Sequence, residues 1–204
     1  MTANKSEPGQ RDAHARAQDD AVDAALVARL RAGDSAAFRD LVSRHIAIVS
    51  GIARRMLKDE AEAEDIAQEA MLRLWRSAAG LELGPGGLRP WLRRVTSNLC
   101  IDRVRSGHRT VVTDEVPEVA EPATQVTNLE GQELSARVAA AMQALPERQR
   151  LALTLFHHEG LSQVEVGQAM GISDEAVESL LARARRALKA GLANEWKELL
   201  ENDG

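Results

Sequence analysis

The sequence predicts an all-α fold: two small helical domains joined by a flexible acidic linker. Three observations carry that expectation. Aromatic residues make up 2% of the 204 residues and tyrosine is absent, whereas small β proteins lean on aromatic and β-branched side chains. Apolar residues recur at three- and four-residue steps through long stretches, the spacing of one helix face. Between these stretches, residues 110–131 (TVVTDEVPEVAEPATQVTNLEG) hold Pro117, Pro122 and Gly131 without a steady period, which is the composition of an extended tether. The expected divisions are a disordered tail at 1–19, a first domain at 20–109, the linker at 110–131, a second domain at 132–193 and a C-terminal tail at 194–204.

Each element has its own warrant. A first helix is expected over roughly 20–32, with Gly33 as its stop. Asp34 caps a long second helix, in which Phe38, Leu41, Val42, His45, Val49, Ile52 and Met56 form one apolar stripe. A third helix runs over about 60–78 and buries Ile66, Ala67, Ala70, Met71 and Leu74. Gly80 to Gly87 (GLELGPGG) is a loop by composition. A fourth helix follows over about Arg89 to Ser106, with Pro90 tolerated in its first turn and Leu88, Leu92, Val95 and Leu99 as its buried stripe. Beyond the linker come helices at roughly 132–144, from Pro146 to Gly160, at 163–169 and at 174–190. The residues after Ala193, with Trp196, Leu199 and Leu200, can extend the last of these.

Composition excludes several classes. A single cysteine, Cys100, rules out an internal disulfide and a Cys-rich zinc finger. No apolar run approaches the roughly 20 residues that span a bilayer, and the polar N-terminus is no secretory signal, so a cytoplasmic protein without membrane insertion is expected. No nucleophile with a base, no P-loop and no zinc quartet is present, so the chain is not expected to be an enzyme, and no catalytic residue, cofactor or metal is assigned. The net charge of −5 with pI near 5.6 argues against a stand-alone nucleic-acid binder. The charge is segregated, however. Residues 59–69 and 111–135 each hold six acids and no base, while 85–110 hold six arginines against Asp102.

Three local patterns point to function. Ser162, Gln163, Val164 and Glu165 match a capping box, Gly171 makes a tight turn, and Ser173 can cap the next helix. In that helix Val177, Leu181, Ala184 and Leu188 share a buried face. This is a helix-turn-helix, which places its second helix in the DNA major groove; the alternative is an ordinary αα-hairpin within a bundle. Arg183, Arg185, Arg186 and Lys189 suit phosphate contacts. On the third helix Asp65, Gln68, Glu69, Leu72 and Arg76 share a side. A leucine among acids and an amide suits docking to a basic protein partner, or is a solvated charged face. Glu62, Asp65 and Glu69 offer carboxylates to a metal, but no histidine joins them. On the fourth helix Arg94, Asn98, Asp102 and Arg105 share the polar side, beside Trp91 and after a Gly-rich loop. Cations, an amide and a mobile loop suit an unstacked single strand, whereas Trp91 alone reads as core.

Taken together these residues resemble a bacterial extracytoplasmic-function (ECF) sigma factor of the sigma-70 family, over roughly 21–109 and 132–193. Ala37-Phe38-Arg39-Asp40-Leu41 resembles the opening of region 2. Glu64-Asp65-Ile66-Ala67-Gln68-Glu69 resembles the core-polymerase-binding motif. Leu88 to Arg105 resembles the promoter-melting and −10-reading segment. Leu145-Pro146-Glu147-Arg148-Gln149-Arg150 resembles the second helix of region 4, and Leu161 to Leu188 its helix-turn-helix. The resemblance implies a promoter-specificity subunit. Asp65, Gln68, Glu69 and Leu72 would dock on the β′ clamp helices of core RNA polymerase, with region 4 at the β flap. Asn98 would hold a flipped −10 base beside the loop Gly80 to Gly87, and Arg94, Arg105 and Arg109 would hold strand backbone. Ser173, Glu178, Ser179, Arg183 and Arg186 would face the −35 element. The acidic linker would thread near the polymerase cleft, its charge mimicking nucleic acid in a basic channel. An anti-sigma factor in a stress response is the implied regulator.

Two departures qualify the match: His45 sits where an aromatic is common in region 2, read as core packing, and the recognition helix is acidic. The recognition helix opens with Asp174 and Glu175 and carries Glu178 and Leu180 where the family often has Lys or Arg. Those acids suit the helix dipole but repel phosphates; Glu178 accepts from a cytosine amino group or is a surface acid. The rival readings are a stand-alone helix-turn-helix regulator, which would bind palindromic sites as a dimer, and a metal-dependent hydrolase built on the 59–69 acids.

Overall fold

The structure, a computed structural model, describes residues 8–84, 86–110 and 129–202, with side-chain surroundings described within 16–106 and 136–193. Every regular element among the described residues is helical. The first half comprises α1 (Pro8–Arg31), α2 (Ser35–Met56), α3 (Glu60–Ser77) with a short 3-10 turn at Ala78–Gly80, and α4 (Leu88–Thr110). The second half comprises α5 (Leu129–Ala144), α6 (Glu147–Leu153), a π-helical turn at Thr154–His158, α7 (Gln163–Met170) and α8 (Asp174–Asn202). The expected linker, apart from its two ends, lies outside the described residues, as do the side chains of Arg109 and Trp196.

Local chemistry sets the ends. The Asp34 carboxylate accepts from the Ala36 and Ala37 amides (2.8 and 3.3 Å) and starts α2. The Asp59 carboxylate accepts from the Glu62 amide and starts α3. Gly33, at φ +88°, ends α1 in a conformation that strains any residue with a Cβ. The second helix buries Leu41, His45, Val49, Ile52 and Met56, as its stripe predicts, with Phe38 and Val42 half-buried. The third buries all five expected residues, Ile66, Ala67, Ala70, Met71 and Leu74.

Four helices are longer than expected: α4 runs to Thr110 rather than Ser106, α5 begins at Leu129 rather than near 132, within the expected linker, and α1 and α8 differ most. α1 begins at Pro8 rather than near 20, so it takes in residues expected as a tail. Its last turns are held by distant partners. Asp19 pairs with Arg44 (3.1 Å) and with Arg89 (2.7 Å), while Asp23 meets Arg44 Nε at 2.9 Å and His45 Nε2 at 2.8 Å. Asp23 and His45 are fully buried, so this pair lies inside the core. Burial raises the Asp23 carboxyl, but the adjacent His45 and the Arg44 guanidinium outweigh it and hold it below the ordinary carboxylate value. α8 runs on to Asn202, beyond the expected end near 190.

The two halves share one continuous core, with Leu41, Ile52, Leu74 and Leu92 on one side and Leu151, Leu155, Val166 and Leu181 on the other. α4 packs against α6 and α7, and α2 packs against the π-helical turn. Polar contacts close the seam. The Gln143 side-chain amide donates to the Arg55 and Leu57 carbonyls at the end of α2 (3.2 and 3.4 Å), where a helix leaves acceptors free. Arg105 Nε reaches Glu147 at 3.3 Å, and Arg93 lies 3.7 Å from Glu159.

Candidate functional site

Three faces carry the residues singled out above. On α3, the buried side fixes the roll of the helix, so Asp65, Gln68 and Leu72 are exposed and Glu69 is half-exposed. Glu69 is held by Arg73 Nε at 3.0 Å and faces Arg76 at 3.8 Å, whereas Asp65 has no ion-pair partner among the described residues. Glu62, the third candidate metal carboxylate, instead faces Arg103 at 3.4 Å. No group of three or more His, Cys, Asp or Glu among the described residues is arranged to hold a metal.

The same face holds a residue that the sequence reading passed over. Trp75 is 43% exposed, as is Leu72, and its ring meets Phe38 edge-on at 5.0 Å. It stands three residues beyond Leu72 and seven beyond Gln68, so the helical spacing already contained the signal. Exposed large apolar side chains that lie together amid acids and an amide are the composition of a docking surface.

On α4, Arg94, Asn98, Asp102 and Arg105 are exposed, while Leu88, Leu92 and Leu99 are buried and Val95 is half-buried. Trp91 is half-buried and packs on the core, as expected of it alone. Of the four polar residues, Arg105 is engaged by Glu147 of the second half, whereas Arg94 makes no ion pair among the described residues. The loop before α4 is pinned to α1. A Cβ at Gly87 would lie 2.9 Å from Asp20 Oδ1, and the φ of +71° itself favours glycine there.

The helix-turn-helix forms as its sequence dictates. Ser162 Oγ accepts from the Glu165 amide at 3.3 Å, and the Glu165 carboxylate accepts from the Ser162 amide at 2.8 Å, a complete capping box. Those Ser162 hydrogen bonds also hold the Glu165 carboxyl below its ordinary value. Gly171 turns the chain at φ +65°. Gly167 has a separate reason: a Cβ there would lie 2.9 Å from the Ile172 carbonyl oxygen, so the turn packs directly on α7. Ser173 caps α8 by accepting from the Ala176 amide at 3.4 Å. Val177, Leu181 and Ala184 are buried, which leaves Ser173, Glu178, Arg183 and Arg186 exposed and Ser179 half-exposed. Arg185 does not share the outer face. Its guanidinium sits 5.5 Å over the Phe156 ring, a cation–π contact within the second half.

The chain is similar to known proteins over most of its length. The Sigma-70 region 2 model matches residues 41–110, and the Sigma-70, region 4 model matches residues 135–188. The chain is 34% identical over 167 residues to the probable RNA polymerase sigma factor RfaY of Xanthomonas campestris, covering 78% of this chain and 41% of that protein. It is 33% identical over 168 residues to the ECF RNA polymerase sigma factor SigM of Mycobacterium tuberculosis, covering 81% of this chain and 82% of that one. Among solved structures, CnrH in complex with the cytosolic domain of CnrY superposes with a TM-score of 0.61 at 26% identity, over 85% of this chain and 98% of CnrH. Two region models in order, a relative matched over most of its length and a shared helical architecture converge on one assignment: the chain belongs to the ECF sigma factors of the sigma-70 family.

Proposed function

We propose that the chain is a promoter-specificity subunit that binds core RNA polymerase, recognises −10 and −35 elements and helps open the DNA, leaving catalysis to the polymerase. The observation that carries this reading is the placement of its three faces. The α3 face, the polar side of α4 and the outer side of α8 are all at the surface, while their opposite sides build the core. Residues 20–109 act as region 2 and 132–193 as region 4.

The α3 face supplies the polymerase contact. Asp65, Gln68 and Glu69 meet a basic surface on the β′ clamp helices, and Leu72 and Trp75 supply the apolar anchor. On α4, Asn98 hydrogen-bonds an unstacked −10 base, and Arg94, Arg105 and Arg109 hold phosphates. Ser173, Glu178, Ser179, Arg183 and Arg186 face the −35 duplex in the major groove. Work of this kind takes place with the polymerase, in the cytoplasm. An anti-sigma factor is the expected regulator, as membership of the ECF sigma factors implies.

The test is transcription from a genomic-fragment library by core polymerase plus the purified chain. Promoter-specific transcripts with the wild type that vanish with Asp65→Ala/Gln68→Ala/Glu69→Ala are expected. No transcripts and no co-elution with core would refute the polymerase role and leave a stand-alone DNA binder.

A further inference from the structure

The outer side of α8 carries more than phosphate contacts. Ala176, Ser179, Leu180 and Arg183 recur at three- and four-residue steps and form one stripe. With Ile172 of the turn and Arg148 of α6 they line an open groove of about 460 Å³. Ile172, Ala176 and Leu180, all half-buried, supply an apolar lining. Arg148 and Arg183 are exposed and supply the charge, and neither has an ion-pair partner among the described residues. They share this with Arg94 and Arg186 and differ from Arg44, Arg54, Arg73, Arg89 and Arg105, each of which faces a carboxylate.

Unpaired guanidiniums beside an apolar groove call for a ligand with anions around a methyl-sized apolar group. In the major groove thymine alone presents a methyl group, next to its O4 acceptor, between the phosphates of the duplex. We propose that this groove reads a thymine of the −35 element. Leu180, with Ile172 and Ala176, receives the C5-methyl; the Ser179 hydroxyl donates to O4; Arg148 and Arg183 hold flanking phosphates. An acidic peptide presenting a leucine is the competing occupant. The exposed Asp174, Glu175 and Glu178 on the same helix disfavour it. Base edges offer amino donors to those carboxylates, and an acidic peptide side chain offers none. The proposal rests on the reading of this unit as the −35 reader and specifies what it reads.

The experiment uses holoenzyme reconstituted from core polymerase and the full chain. Promoters are first selected from a library randomised at −35. In the best promoter each −35 thymine is then replaced by deoxyuridine, which removes only the methyl group. Wild type should enrich thymine and lose about fourfold in promoter affinity at one uridine position, the worth of one buried methyl-sized group. Leu180→Ala should abolish the thymine–uridine difference, and Leu180→Arg should move the preference at that position from thymine to guanine. Arg148→Ala and Arg183→Ala should weaken every promoter alike and reduce the salt slope by about one each. Equal binding of thymine and uridine at every position by wild type would overturn the proposal, as would a ratio that Leu180→Ala leaves intact. If scrambling the whole −35 element leaves transcription unchanged, the parent reading has failed; if scrambling abolishes it while uridine equals thymine, only the thymine assignment has failed.

Discussion

The seam between the two halves sets a size problem that opening of the chain would solve. The −10 and −35 elements lie about 25 base pairs apart, roughly 85 Å at about 3.4 Å per base pair. A folded chain of 204 residues has a radius of gyration of about 17 Å, hence a width of about 43 Å. With α4 packed on α6 and α7, a body of that width falls short of spanning both elements. Glu159→Gln is the cleanest perturbation. Its carboxylate faces Arg93 at 3.7 Å, with the side chains only 11% and 15% exposed, and it lies against α2 at Gly51. Burial pushes the Arg93 guanidinium down, and Glu159 is the foremost group holding it charged. A fully buried pair that loses one partner costs about 3–5 kcal/mol; an exposed pair is worth about 0–1 kcal/mol. This pair sits between those limits and beyond hydrogen-bond length, so about 1–2 kcal/mol is expected. That multiplies the open-to-closed ratio by about 5–30.

The assay is fluorescence energy transfer between dyes on introduced cysteines at Ser77 and Ala190, both exposed. Cys100 will not compete for label, because burial pushes its thiol up to about 12. Glu159→Gln should increase the low-transfer population and lower the chain concentration needed to saturate core polymerase. An unchanged transfer distribution, or a wild type already open without polymerase, would refute the reasoning.

Three further outcomes follow from named contacts. Asp23→Ala leaves buried His45 without its partner and Arg44 with Asp19 alone, so a loss of about 3 kcal/mol is expected, seen as a drop in Tm by circular dichroism. Because the Asp23 carboxyl is held below 3.8 in the fold, its stabilisation is present above that value and disappears as pH falls below it; the variant should lack this portion of the acid transition. Gly167→Ala drives a methyl onto the Ile172 carbonyl and should destabilise the helix-turn-helix by about 1–3 kcal/mol, read as selective loss of −35-dependent transcription. Trp75→Ala should lower Tm only modestly, through loss of the edge-on contact with Phe38, yet weaken core binding by about 2 kcal/mol, roughly 30-fold, in a fluorescence titration.

What was legible in the sequence was local. Asp34, the Ser162–Glu165 box and Gly171 signal through neighbours within a few residues, and the structure uses each as its chemistry suggests. The stripes of α2, α3 and α8 were legible because helix periodicity is itself a local rule. The N-terminal extent of α1 was not, because Asp19 is anchored by Arg44 and Arg89, residues 25 and 70 positions away. The same holds for the candidate site. Exposure of Arg94 and Asn98 followed from helix faces, but the contact of Arg105 with Glu147 joins residues 42 apart that only the seam brings together. Trp75 was within reach of the spacing argument, three residues beyond Leu72, but the face was drawn from Leu72 to Arg76 without it. The π-helical turn at Thr154–His158 left no mark in the apolar pattern.

The most direct test of the central claim is permanganate footprinting of unpaired thymines on a promoter selected by the holoenzyme. Wild type with core polymerase should expose thymines from the −10 element toward the start site, and Asp65→Ala/Gln68→Ala/Glu69→Ala should leave the duplex closed. Opening that persists undiminished in the triple variant, or no opening by wild type on any selected fragment, would contradict the account.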